Sequence, residues 1–245
     1  MIRMFCSVGC VVLLVTTMSH QAYALEVILG MPYKHHTIGH TAVRVRTFDR
    51  NKEVIYDFGR YGKTWGYLGF HGEGIMRVWR GKKQIKRYFR KQTSYRDSIG
   101  FVIRVSPKEE RKIYQYYERK LKRARWKKKG TLHTRYRLKK DYSGINNQCT
   151  SMALEGLKNI LPKKRWISYL HPKYNKGRGF KRKVHRYFFA MQKKWKLNET
   201  VVPLDVLLGM KTAFQNKDPA ILKVRRYPRR YKSFLSSWWK RLRKP

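Results

Sequence analysis

The sequence predicts an α+β fold, an antiparallel sheet packed with helices and followed by a basic C-terminal extension. Three observations predict it. Short stretches of β-branched and alternating residues recur at Thr41 to Arg46, Glu53 to Phe58 and Ile99 to Val105. Two longer stretches, Ser106 to Ala124 and Cys149 to Leu161, carry apolar residues at helical spacing. A hydrophobic fraction of 42% and an aromatic fraction of 14% argue for a folded core despite the heavy charge.

The chain begins like a secretory signal. Arg3 supplies the charged region, Cys6 to Val15 the apolar run, and Ala22-Tyr23-Ala24 the small-x-small cleavage pattern. The run is too short to span a bilayer as a helix. Residues 1–24 are therefore expected to be removed and the mature chain to start at Leu25, exported to a periplasm or secreted. Leu25 to Gly30 reads as a short buried strand ending in a turn at Gly30-Met31-Pro32.

Thr41 to Arg46 is the next strand, and Glu53 to Phe58 its hairpin partner across the turn Asp49 to Lys52. Gly59 to Gly62 is expected to end that strand. Five glycines between Gly62 and Gly74, with Trp65, Tyr67 and Phe70, read as an aromatic loop forming one wall of a cleft. Gly74 to Trp79 reads as a further strand, and residues 80–96 interleave charges with aromatics, as in Lys86 to Lys91.

Ser106-Pro107-Lys108-Glu109 is a helix start. Ser106 can cap, Pro107 suits the first helical position and Glu109 completes a capping box. Ile113, Tyr116, Tyr117, Leu121 and Ala124 continue on one face, and Gly130 ends the basic run Lys127 to Lys129. A loop or short strand leads through Tyr136 to the next helix. After Pro162 the pattern weakens: Val184 to Trp195 reads as a helix, and Val201 to Met210 is apolar and short. The predicted organisation is a signal at 1–24, one domain at 25–223 and a basic aromatic tail at 224–245.

The chemistry concentrates at Asp141 to Leu154. Gly144, Asn146 and Asn147 break regular structure, and Cys149 opens a helix whose inward face carries Ala153, Leu157 and Ile160. A helix N-terminus offers unpaired N–H groups and the positive end of the dipole, and both favour thiolate over thiol. Signal removal takes Cys6 and Cys10 with it, leaving Cys149 as the sole thiol. An unpaired thiol in an exported protein needs a reason, either catalysis or complete burial.

Charge bounds the partners. Lys and Arg number 59 against 14 Asp and Glu, a formal net charge of +45, or +44 once Arg3 is removed. Such a chain is drawn to polyanions by long-range attraction. Outside a cytoplasm these are an anionic envelope polymer, a membrane surface or released nucleic acid. The tail, with Tyr227, Tyr231, Trp238 and Trp239 among its Arg and Lys residues, suits phosphate contacts and stacking or a headgroup layer.

A cysteine nucleophile needs a base, and the base needs a third group to hold it. His40 follows Gly39 at the head of a strand, far upstream of Cys149. Gly39-His40-Thr41-Ala42-Val43-Arg44-Val45, then Tyr56-Asp57-Phe58-Gly59, then Asn146-Asn147-Gln148-Cys149-Thr150-Ser151 resemble the permuted papain-like hydrolases. This is the circularly permuted branch of the NlpC-type superfamily, in which the histidine strand precedes the cysteine helix. The resemblance spans roughly residues 30–160. It implies cysteine-dependent cleavage of amide or acyl bonds, with wall-peptide hydrolysis common and lipid acyl chemistry in other branches.

In those roles Cys149 attacks and His40 is the base. Asp57 is the carboxylate available as third group, with Tyr56 beside it; a slip of one residue in register would swap them. His35 and His36 are competing bases or plain loop residues. Asn146 and Asn147 either shape the loop or offer an amide to an oxyanion. No cofactor is invoked, and the histidines lack the carboxylate or second cysteine that a metal site would need. The leading expectation is an exported cysteine hydrolase cleaving amide bonds of cell-wall peptides. The alternatives are a non-catalytic polyanion-binding protein on the same fold, or a lipid acyl hydrolase or transferase.

Overall fold

A computed structural model describes residues 24–33, 39–45, 53–66, 71–144, 146–158, 160 and 202–230. Residues 1–23 of the signal-like stretch, His35, His36, Val184 to Trp195 and most of the tail lie outside them. The described chain is α+β, with four helices and one nine-stranded sheet whose paired strands all run antiparallel.

The strands are β1 (Ala24–Gly30), β2 (His40–Val45), β3 (Val54–Trp65), β4 (His71–Arg80), β5 (Ser98–Arg104), β6 (Trp126–Lys129), β7 (Thr134–Arg137), β8 (Tyr142–Ser143) and β9 (Ile221–Tyr227). Their order across the sheet is β6-β7-β4-β3-β2-β1-β5-β9, with β8 on the side against β4. The helices are α1 (Gly81–Thr93), α2 (Pro107–Lys122), α3 (Cys149–Lys158) and α4 (Pro203–Gln215).

Period-2 alternation gives the sheet two covered faces. Leu25, Val27, Val43, Val45, Val54, Tyr56, Phe58, Met76 and Val78 point to one side. They form the main core with Ile113, Tyr117 and Leu121 of α2, Met152, Ala153, Leu154 and Leu157 of α3, and Val206 and Met210 of α4. Their alternates Ile28, Ala42, Ile55 and Trp79 point to the other side, against Ile85 and Tyr88 of α1.

The capping box expected at Ser106 forms: the Glu109 N–H donates to the Ser106 hydroxyl at 3.2 Å, and the Ser106 N–H donates to the Glu109 carboxylate at 2.7 Å. The helix opened by Cys149 also forms, with Cys149, Ala153 and Leu157 all buried.

Two expectations are corrected, and one stretch without an assigned element gains one. β3 does not end at Gly59 to Gly62. It continues through Trp65 against β4, with a register shift between Arg60 and Thr64. Most of the expected glycine loop is therefore a strand pair, in which a Cβ at Gly62 would crowd Glu73 across the pair, 2.8 Å from its Cβ. Residues 81–93 form α1, whose buried Ile85, Tyr88 and Gln92 do fall at helical spacing beneath a cover of charges. The boundary placed at Val224 falls inside β9, which pairs with β5 from Ser98↔Tyr227 to Ile103↔Ile221. The start of the basic tail is thus sheet.

Candidate active site

The site lies where the sheet splits. β2 pairs with β1 all the way to Gly30↔His40, but its pairing with β3 stops at Val43↔Tyr56. Into that opening comes the N-terminus of α3. Gly39 leads into β2 against the end of β1: its φ of +84° is left-handed, and a Cβ would lie 2.7 Å from the Gly30 carbonyl oxygen.

α3 is docked to β2 by a buried hydroxyl pair, Thr41 Oγ1 to Thr150 Oγ1 at 3.0 Å. Gln148 precedes the helix, and its N–H donates to the Ser151 hydroxyl at 2.8 Å while its carbonyl accepts from Met152 N–H at 3.0 Å. Cys149 therefore opens the helix, buried at 5% exposure. Its Sγ lies 3.9 Å from Thr150 Oγ1 and also takes hydrogen bonds from the His40 side chain and the Thr41 backbone N–H. Burial pushes the thiol pKa up, but the His40 charge and these hydrogen bonds outweigh it, so the thiol is held below its ordinary value.

Asp57 is fully buried, and its Oδ1 lies 2.6 Å from His40 Nε2. With Nε2 committed, Nδ1 is the nitrogen left for the thiol. Burial disfavours protonated His40, yet the charges of Asp57 and Cys149 and their hydrogen bonds raise its pKa from 6.5 to about 9. Thiolate and imidazolium thus support each other as an ion pair.

Register decides the third group. Tyr56 points into the main core, stacks on Tyr117 at 4.3 Å and donates to Glu118 at 2.7 Å. Asp57 points the other way, toward His40. The Asp57 carboxylate is saturated: Tyr61 Oη donates to Oδ1 at 2.8 Å, and Arg77 donates to Oδ2 from Nε at 3.1 Å and Nη2 at 2.5 Å. Burial favours the neutral acid, but Arg77, then His40 and Tyr61, hold Asp57 well below the usual carboxylate range. The Arg77 guanidinium also sits 3.5 Å from the centroid of the Tyr61 ring, whose hydroxyl lies 3.2 Å from His40 Nε2.

The structure therefore brings Cys149, His40 and Asp57 together. Asn147 turns away: its amide donates to the Asp141 carbonyl at 2.5 Å and its backbone bridges to Ser143, so it shapes the loop. Asn146 is exposed. His71 is exposed at the head of β4, and His133 stacks on Trp79 at 4.4 Å. Among the described residues no group of three or more His, Cys, Asp or Glu gathers to hold a metal ion.

Sequence reasoning missed Tyr61, Arg77 and Tyr142. Arg77 had a signal, a lone charge in the otherwise apolar stretch Gly74 to Trp79, which demands a buried acid. Tyr61 had none, because the bulge after Arg60 breaks the alternation that would have placed it. Gly59 is what admits it: a Cβ there would lie 2.6 Å from the Tyr61 ring. Tyr142 is near enough to the thiol for the Cys149 charge to act on its hydroxyl; burial first and that charge second raise its pKa, against Arg60.

Comparison with known proteins yields no matching family model, no matching curated protein and no matching solved structure.

Proposed function

We propose that this chain is an exported cysteine hydrolase of permuted papain-like fold that cleaves amide bonds, with cell-wall peptides as its substrate class. The observation that carries the reading is the chain of contacts from Cys149 at the start of α3 to His40, and from His40 Nε2 to buried Asp57 at 2.6 Å. Support for export comes from the signal-like residues 1–24, and for an anionic envelope polymer or membrane surface as docking partner from the charge of +44 on the mature chain.

The chemistry follows from the arrangement. The Cys149 thiolate attacks the amide carbonyl carbon, and the carbonyl oxygen becomes an oxyanion. The Cys149 backbone N–H and the N-terminal end of α3 are placed to stabilise it. Imidazolium His40 gives its Nδ1 proton to the leaving amine as the C–N bond breaks, leaving a thioester. Neutral His40 then takes a proton from water, whose oxygen attacks the thioester. The C–S bond breaks, the acid leaves, and thiolate and imidazolium are restored. Asp57 holds the ring so that Nδ1 faces the sulfur, and Tyr61 and Arg77 hold Asp57.

Alkylation rates across pH and release of amines from wall sacculi test this. The expected result is an apparent thiol pKa below about 8.5 and amine release that Cys149→Ala abolishes. A thiol alkylated only on unfolding, or amine release that survives Cys149→Ala, would overturn the reading.

A further inference from the structure

On the face of the sheet that α1 covers, neighbouring strands set Asp57 opposite Arg77 and Arg77 opposite Arg135. Two residues along the same ladder, His133 lies against Trp79, with ring centroids 4.4 Å apart. Like charges directly opposite across a sheet repel. Arg77 is compensated by Asp57, whereas Arg135 donates from Nη2 to the neutral Tyr61 carbonyl at 2.5 Å. α1 adds Lys91, and Arg87 of α1 ties down the β6–β7 turn by donating to the Thr131 carbonyl at 3.1 Å. The carboxylate whose charge reaches Lys91 and His133 is Asp57, already held by Arg77 and His40.

Polar atoms in this patch are also left over. Arg135 Nε, Trp79 Nε1 and His133 Nδ1 are buried and have no hydrogen-bond partner among the described residues, and Trp79 is itself 0% exposed. A buried donor without an acceptor is destabilising, and the Trp79 Nε1–H and Arg135 Nε–H, with His133 Nδ1 a third where the proton sits on it, point to an acceptor that the described residues do not supply.

We infer that Arg135, His133, Lys91 and Trp79 form a binding site for a phosphate group, two strand spacings, about 10 Å, from Asp57. The group must be an anion, because the surroundings offer donors and positive charge. Phosphate suits it better than carboxylate because its oxygens point in several directions and can accept from guanidinium, ammonium, imidazole and indole together. The site does not depend on Cys149 acting as a nucleophile. It is joined to the catalytic candidates through Tyr61, whose carbonyl meets Arg135 and whose hydroxyl meets His40.

His133 is the reporter, facing Trp79 and Arg77 from β4, Arg135 on its own hairpin and Lys91 from α1. Burial first, then the Arg77 and Lys91 charges, hold its pKa at about 4. A bound phosphate adds the opposite charge, so the imidazole should titrate about 1–3 units higher. The experiment follows the His133 imidazole by NMR in the intact mature protein, assigned by His133→Gln. Inorganic phosphate is titrated against chloride at constant ionic strength.

The expected result is a saturating shift, weakened at least tenfold by Arg135→Gln, weakened also by Lys91→Gln on the exposed side chain, and unchanged by Lys211→Gln on α4 across the sheet. Lys91→Gln carries the test if Arg135→Gln does not fold. Vesicles of phosphatidylcholine with phosphatidic acid form the second arm. If they displace the inorganic ion, a lipid headgroup is the natural source of the phosphate; if they do not, a soluble or polymer phosphate is. A shift that never saturates, or saturation that both substitutions leave intact, would overturn the site.

Discussion

The two faces of the sheet are built from the same strands and do opposite work. Toward α2, α3 and α4, successive inward residues are Leu25, Val27, Val43, Val45, Tyr56, Phe58, Met76 and Val78. Toward α1, their alternates include Glu26, Arg44, Asp57 and Arg77, all paired across strands. There Glu26 accepts from Arg44 at 2.9 Å, Arg225 at 3.3 Å and Tyr227 at 2.6 Å, tying β2, β1 and β9 together. An apolar face is stabilised by area removed from water, and many of its contacts can be changed singly at moderate cost. A buried charged network adds little net stability but fails badly when one member is lost. The first kind of face suits a core, and the second suits a site that must hold one imidazole in one orientation.

That contrast can be broken most sharply by paired substitutions. His40→Ala should lower turnover by a factor on the order of 10⁴ to 10⁶ and, because it takes a charged partner from buried Asp57, should lower the melting temperature near neutral pH as well. Leu157→Ala, at 1% exposure in the main core, should cost about 2–5 kcal/mol yet leave kcat of the folded fraction intact. Turnover and thermal melts on both variants decide it; a Leu157→Ala variant that is folded but inactive would erase the division between the faces.

Asp57→Asn should do both kinds of damage. It leaves the Arg77 guanidinium buried without its carboxylate, at a cost of about 3–5 kcal/mol, and it loosens the His40 ring. Chemical denaturation together with kcat measures the two effects. Unchanged stability would mean that Arg77 finds another acceptor.

A pH profile sharpens the comparison further. The folded state raises His40 to about 9, so its contribution to stability is complete below its ordinary value of 6.5 and is lost as pH rises through about 9. The folded state lowers Cys149, so the thiolate's contribution is present above the ordinary thiol value of 9.0 and is lost as pH falls through the depressed one. Activity should therefore form a plateau bounded near 9 on the alkaline side. Between about 6.5 and 9 the two contributions oppose each other, so the melting temperature should fall as pH rises toward 9 in Cys149→Ala, which keeps the His40 contribution alone, and less in the parent protein. Equal falls in both would detach the ion pair from stability.

The smallest catalytic effect is expected from the tail. Because Ile221–Tyr227 is a strand of the sheet, removing everything from Val224 would strip β9 from β5. Removing 231–245 alone should spare folding and cleavage of a small soluble substrate while weakening sedimentation with wall sacculi and anionic vesicles. Raising salt should weaken that binding steeply in every variant, including Cys149→Ala. Salt-insensitive binding, or loss of cleavage on truncation, would count against separate roles for charge and site.

Local chemistry made part of this legible in advance. Strand alternation at Thr41 to Val45 and Val54 to Phe58, the capping box at Ser106, and the helix opened by Cys149 are set by neighbours within a few residues, and the sequence determined them by itself. The charge and the order of His40 before Cys149 are of the same kind. Tertiary structure alone decided the rest. Whether Asp57 or Tyr56 meets His40 depends on which face each strand residue takes, and period-2 geometry leaves that open until a core has formed on one side. Arg77 reaches Asp57 only because β4 pairs with β3 in that register. α1 hides its period under charges because four buried residues, Ile85, Tyr88, Gln92 and Thr93, suffice to dock it. β9 joins the sheet 117 residues after β5 ends, by pairing that no local signal encodes, since backbone groups at a strand edge accept any extended partner that folding brings to them.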